Sequence, residues 1–115
     1  MARSSEPKLV VHISKGHFAP PDYDEVKRLI KASAVTLEPA VRKLRGLIYY
    51  HAGIDKNTST VVNMSVWTDL EAAKQMETLA PMLAQRPILE KAGVRFDKIE
   101  NYEPLWNTGS MNTNA

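Results

Sequence analysis

Three residues at alternate positions, Asn63, Ser65 and Trp67, carry the strongest chemical signal in this sequence. In an extended segment, residues two apart share a face. Two hydrogen-bonding side chains and a large aromatic would then stand in one row, where a purely structural strand would bury Val or Ile. Two arrangements satisfy such a row. Either Asn63 and Ser65 bond backbone groups at helix ends while Trp67 packs in the core, or the row lines a pocket whose ligand or water supplies the partners. His12, with Val10 and Ser14 on its side of another extended segment, is a candidate general base near neutral pH, or a group that holds a ligand oxygen. A hydrogen bond to a neighbouring strand is the other role open to it. His51 alternates with Tyr49 and Leu47, and Tyr50 with Ile48 and Ala52. Which set faces a pocket depends on a register that spacing leaves open. The candidate binding residues are thus Asn63, Ser65, Trp67, His51 and Tyr49, with His12 as candidate base; His17, ahead of Pro20, reads as solvated.

Other chemistries lack their parts. The chain has no Cys, so disulfides, thiolate metal sites and a cysteine nucleophile are excluded, and the composition suits a reducing compartment. Its five Gly are scattered singly, which leaves no phosphate-cradling loop. No Ser sits in a nucleophile elbow and no His pair has metal-ligand helical spacing. No metal site is expected from these spacings.

The elements that must position these residues follow from hydropathy patterning. Residues 8 to 14 are rich in β-branched side chains and alternate, which predicts a first strand. After Pro20-Pro21, Asp22 with Glu25 three residues on has capping-box spacing, and Val26, Leu29, Ile30, Ala34 and Leu37 recur at helical spacing. Pro39 predicts a break near Glu38 and a short second helix carrying Val41 and Leu44, closed by Gly46. Leu47 to Ile54 and Thr60 to Trp67, joined by the polar run Asp55 to Ser59, form a hairpin. Thr68 or Asp69 caps an amphipathic segment whose stripe is Ala72, Met76, Leu79 and Leu83; Pro81 and Pro87 cut it into short pieces and Gly93 ends it. Val94 to Leu105 is a less regular last strand.

The order β-α-β-β-α-β is the ferredoxin-like α+β arrangement, an antiparallel sheet with its helices on one face. Its other face is open. On residues 60 to 67 one parity reads Val62, Met64, Val66 and the other Val61, Asn63, Ser65, Trp67. If the mixed parity faces the helices, the apolar one, joined by Leu9, Val11 and Ile13, must be covered, and a homodimer closed by two-fold symmetry is the simplest cover.

The segments Gly46-Leu47-Ile48-Tyr49-Tyr50, Ser65-Val66-Trp67-Thr68-Asp69-Leu70-Glu71-Ala72 and Asn101-Tyr102-Glu103-Pro104-Leu105-Trp106 resemble the dimeric α+β barrel proteins of the antibiotic biosynthesis monooxygenase type. The resemblance runs over about residues 8 to 106. It implies a dimeric barrel and, as function, a cofactor-independent monooxygenase acting with dioxygen on a small aromatic or quinol-type substrate. The alternative is a non-catalytic small-ligand-binding or structural barrel dimer, because one scaffold hosts many activities. Haem-degrading members carry an iron-ligating His about nine residues after the Trp; Met76 stands there in this chain, and no His follows Gly53.

With 115 residues the chain fits one domain, spanning 8 to 106, with flexible tails at 1 to 7 and 107 to 115. Fifteen Lys and Arg against 13 Asp and Glu leave a net charge of +2 with the signs interleaved, which argues against nucleic-acid binding. There is no secretory signal and no run of roughly 18 apolar residues, so the protein is expected to be cytoplasmic and off the membrane.

Overall fold

The computed structural model describes residues 8 to 108; the expected tail 1 to 7 and most of the tail 107 to 115 lie outside the described residues. The elements are β1 (Val10–His17), α1 (Tyr23–Arg42), β2 (Leu47–Asp55), β3 (Thr60–Trp67), α2 (Leu70–Ala73), α3 (Ala80–Lys91), β4 (Arg95–Phe96) and β5 (Glu100–Tyr102), with short 3-10 turns at Pro20–Asp22 and Lys74–Glu77. The sheet is antiparallel in the order β2-β3-β1-β4, and β5 also pairs with β1. This is the ferredoxin-like α+β fold that the sequence pattern predicts.

Several helix expectations are corrected. Helix α1 runs unbroken through Pro39 to Arg42. Proline removes one amide bond and crowds the carbonyl four residues back. That residue, Val35, is 78% exposed, so water can take up the freed carbonyl, while buried Leu37 and Val41 hold the last turns on the sheet. Asp22 makes no side-chain cap bond, and Glu25 pairs with Arg28 instead of closing a capping box. The next start signal acts as expected: Asp69 accepts from the Ala72 amide at 2.8 Å. Gly46, at φ +79°, lets the chain leave α1 for β2; a Cβ there would come within 2.4 Å of Thr68 Oγ1. Pro81 opens α3 in its first turn, but the expected cut at Pro87 is absent: α3 runs unbroken through it to Lys91, and the carbonyl that Pro87 crowds belongs to Leu83, which is 55% exposed and open to water. The inward stripe of α3 is Met82, Gln85 and Leu89.

Two bulges set the faces of the sheet. Leu47 pairs with Trp67 and Tyr49 with Val66, so β2 carries one extra residue at that point. On the other side of the sheet, Phe96 pairs with Gly16 and Glu100 with Ile13. Three residues, Asp97, Lys98 and Ile99, therefore stand opposite two, Lys15 and Ser14. Such an insertion kinks the strand and turns the following side chains over. The last strand is accordingly two short pieces, held between them by the Asp97 amide bonding to the Lys15 carbonyl at 2.9 Å.

The mixed parity of β3 faces the helices. Trp67 packs with Val41, Ala72, Ala73 and Met76 in one buried cluster, and Phe18, Val26, Val61, Leu89 and Val94 form a second. Val11, Ile13, Val62 and Met64 lie on the opposite face.

Candidate functional site

The helix-facing side of the sheet carries paired rows: His12 lies beside Ser65 and Ser14 beside Asn63, with Tyr50 across from Ser65 and Ala52 from Asn63 on the far side of β3. Where the two core clusters fail to meet, a cleft opens between this face, α1 and α3. One lobe, about 360 Å³, lies under α1 and is walled by Ile30, Ala34, Leu37, Tyr50, Ala52 and Asn63. The second, about 550 Å³, runs beneath α3 toward the β4–β5 bulge, with Met76, Arg86 and Lys98 in its wall. Both lobes touch Ser14, Asn63, Met82, Gln85, Leu89 and Phe96, so they adjoin along that shared wall.

Of the expected site residues, Asn63 lines both lobes, half-buried. Ser65 and Trp67 do not line the cleft. The Trp67 indole N–H donates to Ser65 Oγ at 2.8 Å, and both side chains are buried. His12 is 4% exposed and lies outside the cleft lining. Its Nδ1 is 2.7 Å from Asn101 Oδ1. With that oxygen accepting, the imidazole carries its proton on Nδ1, and Nε2 keeps the lone pair that a base needs.

The β2 bulge sends Tyr50 to the helix side, so Tyr49 and His51, paired with Val66 and Met64, lie on the open face. There the two side chains bond each other, His51 Nδ1 to Tyr49 Oη at 3.0 Å, and their rings meet edge to face. His51 also touches the edge of the first lobe. The expected residues are thus divided among the cleft wall, the buried core and the far face. His17 pairs with Asp97 at 2.7 Å on the surface.

Sequence reasoning left Tyr50 as the open alternative to Tyr49 and His51, placed Ser14 only as a neighbour of His12, and gave no site role to Gln85 or Asn101. A readable signal existed for Gln85, an amide on an otherwise apolar inward stripe between Met82 and Leu89. None existed for Asn101, whose face depends on the bulge. Burial raises the Tyr50 phenol above its ordinary pKa, so it stays a neutral donor in the cleft wall.

Among the described residues, no three His, Asp or Glu side chains gather closely enough to hold a metal ion. Met76, where the family resemblance would place a haem-ligating His, is buried against Trp67 and the cleft. Its thioether is a soft, weak ligand. No helix among the described residues is long and apolar enough to cross a membrane.

No protein-family model matches the sequence, and neither does any curated protein. Solved structures do match in fold. Rv0793 from Mycobacterium tuberculosis aligns with a TM-score of 0.66 at 16% identity, over 88% of this chain and 99% of its own. SnoaB of Streptomyces nogalater, a cofactor-independent oxygenase, aligns with a TM-score of 0.60 at 16% identity, over 87% of this chain and 96% of its own. A Chloroflexus aurantiacus protein named as a candidate antibiotic biosynthesis monooxygenase aligns with a TM-score of 0.57 at 15% identity, over 89% and 98%. The chain therefore has the fold of the antibiotic biosynthesis monooxygenase type.

Proposed function

We propose that the protein is a cofactor-independent monooxygenase that takes a small, electron-rich aromatic or quinol-type substrate into the cleft between the sheet and α1 and α3. The observation that carries this reading is the cleft itself: a mostly apolar cavity with Asn63 and Ser14 side by side in its floor, in a fold shared with a cofactor-independent oxygenase. Such a cavity excludes water from a reactive anion and anchors its oxygens. Trp67 and Ser65, bonded to each other, hold the β3 wall rigid behind Asn63.

In the proposed reaction the substrate gives up its acidic proton to a base, for which His12, two residues from the cleft-lining Ser14 on β1, is the candidate, and the substrate anion itself reduces dioxygen. One oxygen atom enters the substrate; the other leaves as water with the two hydrogens the substrate loses. All electrons come from the substrate. Asn101 keeps the imidazole in the tautomer with Nε2 free.

A second reading is a ligand-binding protein without catalysis. The burial of His12 outside the cleft lining favours it. Oxygen uptake with a panel of naphthoquinols and phenols separates the two. The oxygenase reading expects uptake above autoxidation with at least one compound, and its loss in His12→Ala. Tight binding with no uptake leaves the second reading standing.

We also propose that a second copy of this chain covers the open face. That face is apolar at Val11, Ile13, Val62 and Met64, and the same chain exposes Leu105 at 85% and Trp106 at 83%. One self-complementary surface of this kind suits an isologous dimer.

A further inference from the structure

Three neutral hydrogen-bonding side chains from three elements line both lobes of the cleft: Ser14 of β1, Asn63 of β3 and Gln85 of α3. Each is half-buried. Other polar side chains near the interior are already committed. Ser65 accepts from Trp67, Ser33 donates to the Ile30 carbonyl, and Gln75 donates to the Arg45 and Ala72 carbonyls. Among the described residues, Ser14, Asn63 and Gln85 make no side-chain hydrogen bond, and no wholly buried polar atom is left without a partner. Their free donors and acceptors therefore keep an accessible surface, and the surface available to them is the cleft.

Gln85 is the informative member. On α3 it stands on the inward stripe between Met82 and Leu89, where burial favours an apolar residue and an amide must find partners. The β4–β5 bulge explains what it faces. The extra residue among Asp97, Lys98 and Ile99 draws the last strand out of even pairing opposite Ser14, and the second lobe lies there, bounded by those three residues and by Gln85. A bulge that re-aims a strand beside a cavity widens it at that point.

We propose that Gln85, with Ser14 and Asn63, forms an uncharged clamp that recognises a neutral oxygen, a phenolic hydroxyl or a ring carbonyl, carried near the middle of an aromatic ligand whose flanks occupy the two lobes. Amides and a hydroxyl both donate and accept, so the clamp takes either oxygen type. With no cation among its three members, it does not favour a carboxylate at that point. Gln85 is thereby a specificity-determining residue of the cleft. The inference rests on the proposed aromatic-ligand site and is independent of the oxygen chemistry.

The test is fluorescence titration of the full-length protein with 2-naphthol, with naphthalene, 1,4-naphthoquinone and 2-naphthoate as competitors. Wild type is expected to prefer 2-naphthol over naphthalene and 2-naphthoate. Gln85→Leu is expected to weaken 2-naphthol about tenfold, the worth of one good hydrogen bond, and to leave naphthalene unchanged or tighter. Gln85→Glu, the same size, accepts but no longer donates, and should keep 2-naphthol while losing the quinone. This second variant separates recognition from packing, because a structural role would move all ligands together. An unchanged 2-naphthol affinity in Gln85→Leu, or equal losses for naphthol and naphthalene, overturns the clamp alone. Failure of wild type to bind any of the four overturns the aromatic-ligand site and the clamp with it, whereas binding without oxygen uptake overturns only the catalytic reading.

Discussion

The indole N–H of Trp67 and the hydroxyl of Ser65, two positions apart on one strand, are bonded to each other at 2.8 Å inside the core. Their neighbour in the same row, Asn63, instead lines the cleft, and its side chain has no hydrogen-bond partner among the described residues. One row of three residues thus divides into a structural pair and a site residue, and the two parts should respond differently to mutation. Ser65→Ala strands a buried indole donor and should cost about 1–3 kcal/mol. Asn63→Ala should be nearly neutral for folding while weakening ligand binding. Urea unfolding of both variants checks this, and equal destabilisation would contradict the division.

Asn101→Asp places a carboxylate against His12 Nδ1. The carboxylate can only accept at that position, so it holds the Nδ1 proton and favours the imidazolium over the free base. If His12 is the base, oxygen uptake at neutral pH falls in this variant. Unchanged uptake removes His12 from the reaction.

Met64→Glu puts a charge at the centre of the open sheet face. If a second copy covers that face, burying the unpaired carboxylate costs several kcal/mol and the protein should sediment as a monomer. A well-folded variant of unchanged assembly would show that the face is not the interface.

Ala34→Trp fills the lobe under α1 from an exposed position on the helix. The fold should tolerate it, with a thermal midpoint close to wild type, while 2-naphthol binding falls at least tenfold on steric grounds. Undiminished binding would place the ligand elsewhere.

Asp69 is held below the usual carboxylate pKa, first by the Ala72 amide and then by the Arg45 guanidinium. A depressed folded-state pKa contributes stability at pH values above the unfolded one, and that contribution disappears as pH falls through the folded one. Asp69→Asn should therefore narrow the stability difference between neutral and acid solution. An unaltered difference would mean that the cap carries no charge effect.

By itself, the sequence determined the order of the main elements and the parity of β3. Each of these follows from local periodicity: Val62, Met64 and Val66 alternate with Asn63, Ser65 and Trp67 whatever surrounds them. Caps and breakers were legible where the local signal had no competitor, as at Asp69 and Gly46. Pro39 was misread because the burial of Leu37 and Val41, a tertiary contribution, outweighs one missing amide bond. The candidate site depended on tertiary structure throughout. One extra residue between Leu47 and Tyr49 chose Tyr50 for the cleft and sent Tyr49 and His51 to the far face. Another, among Asp97, Lys98 and Ile99, brought Asn101 to His12 and opened the cleft at Ser14. A bulge shifts every later side chain by one position, and it is selected by packing between distant segments, which no local pattern records.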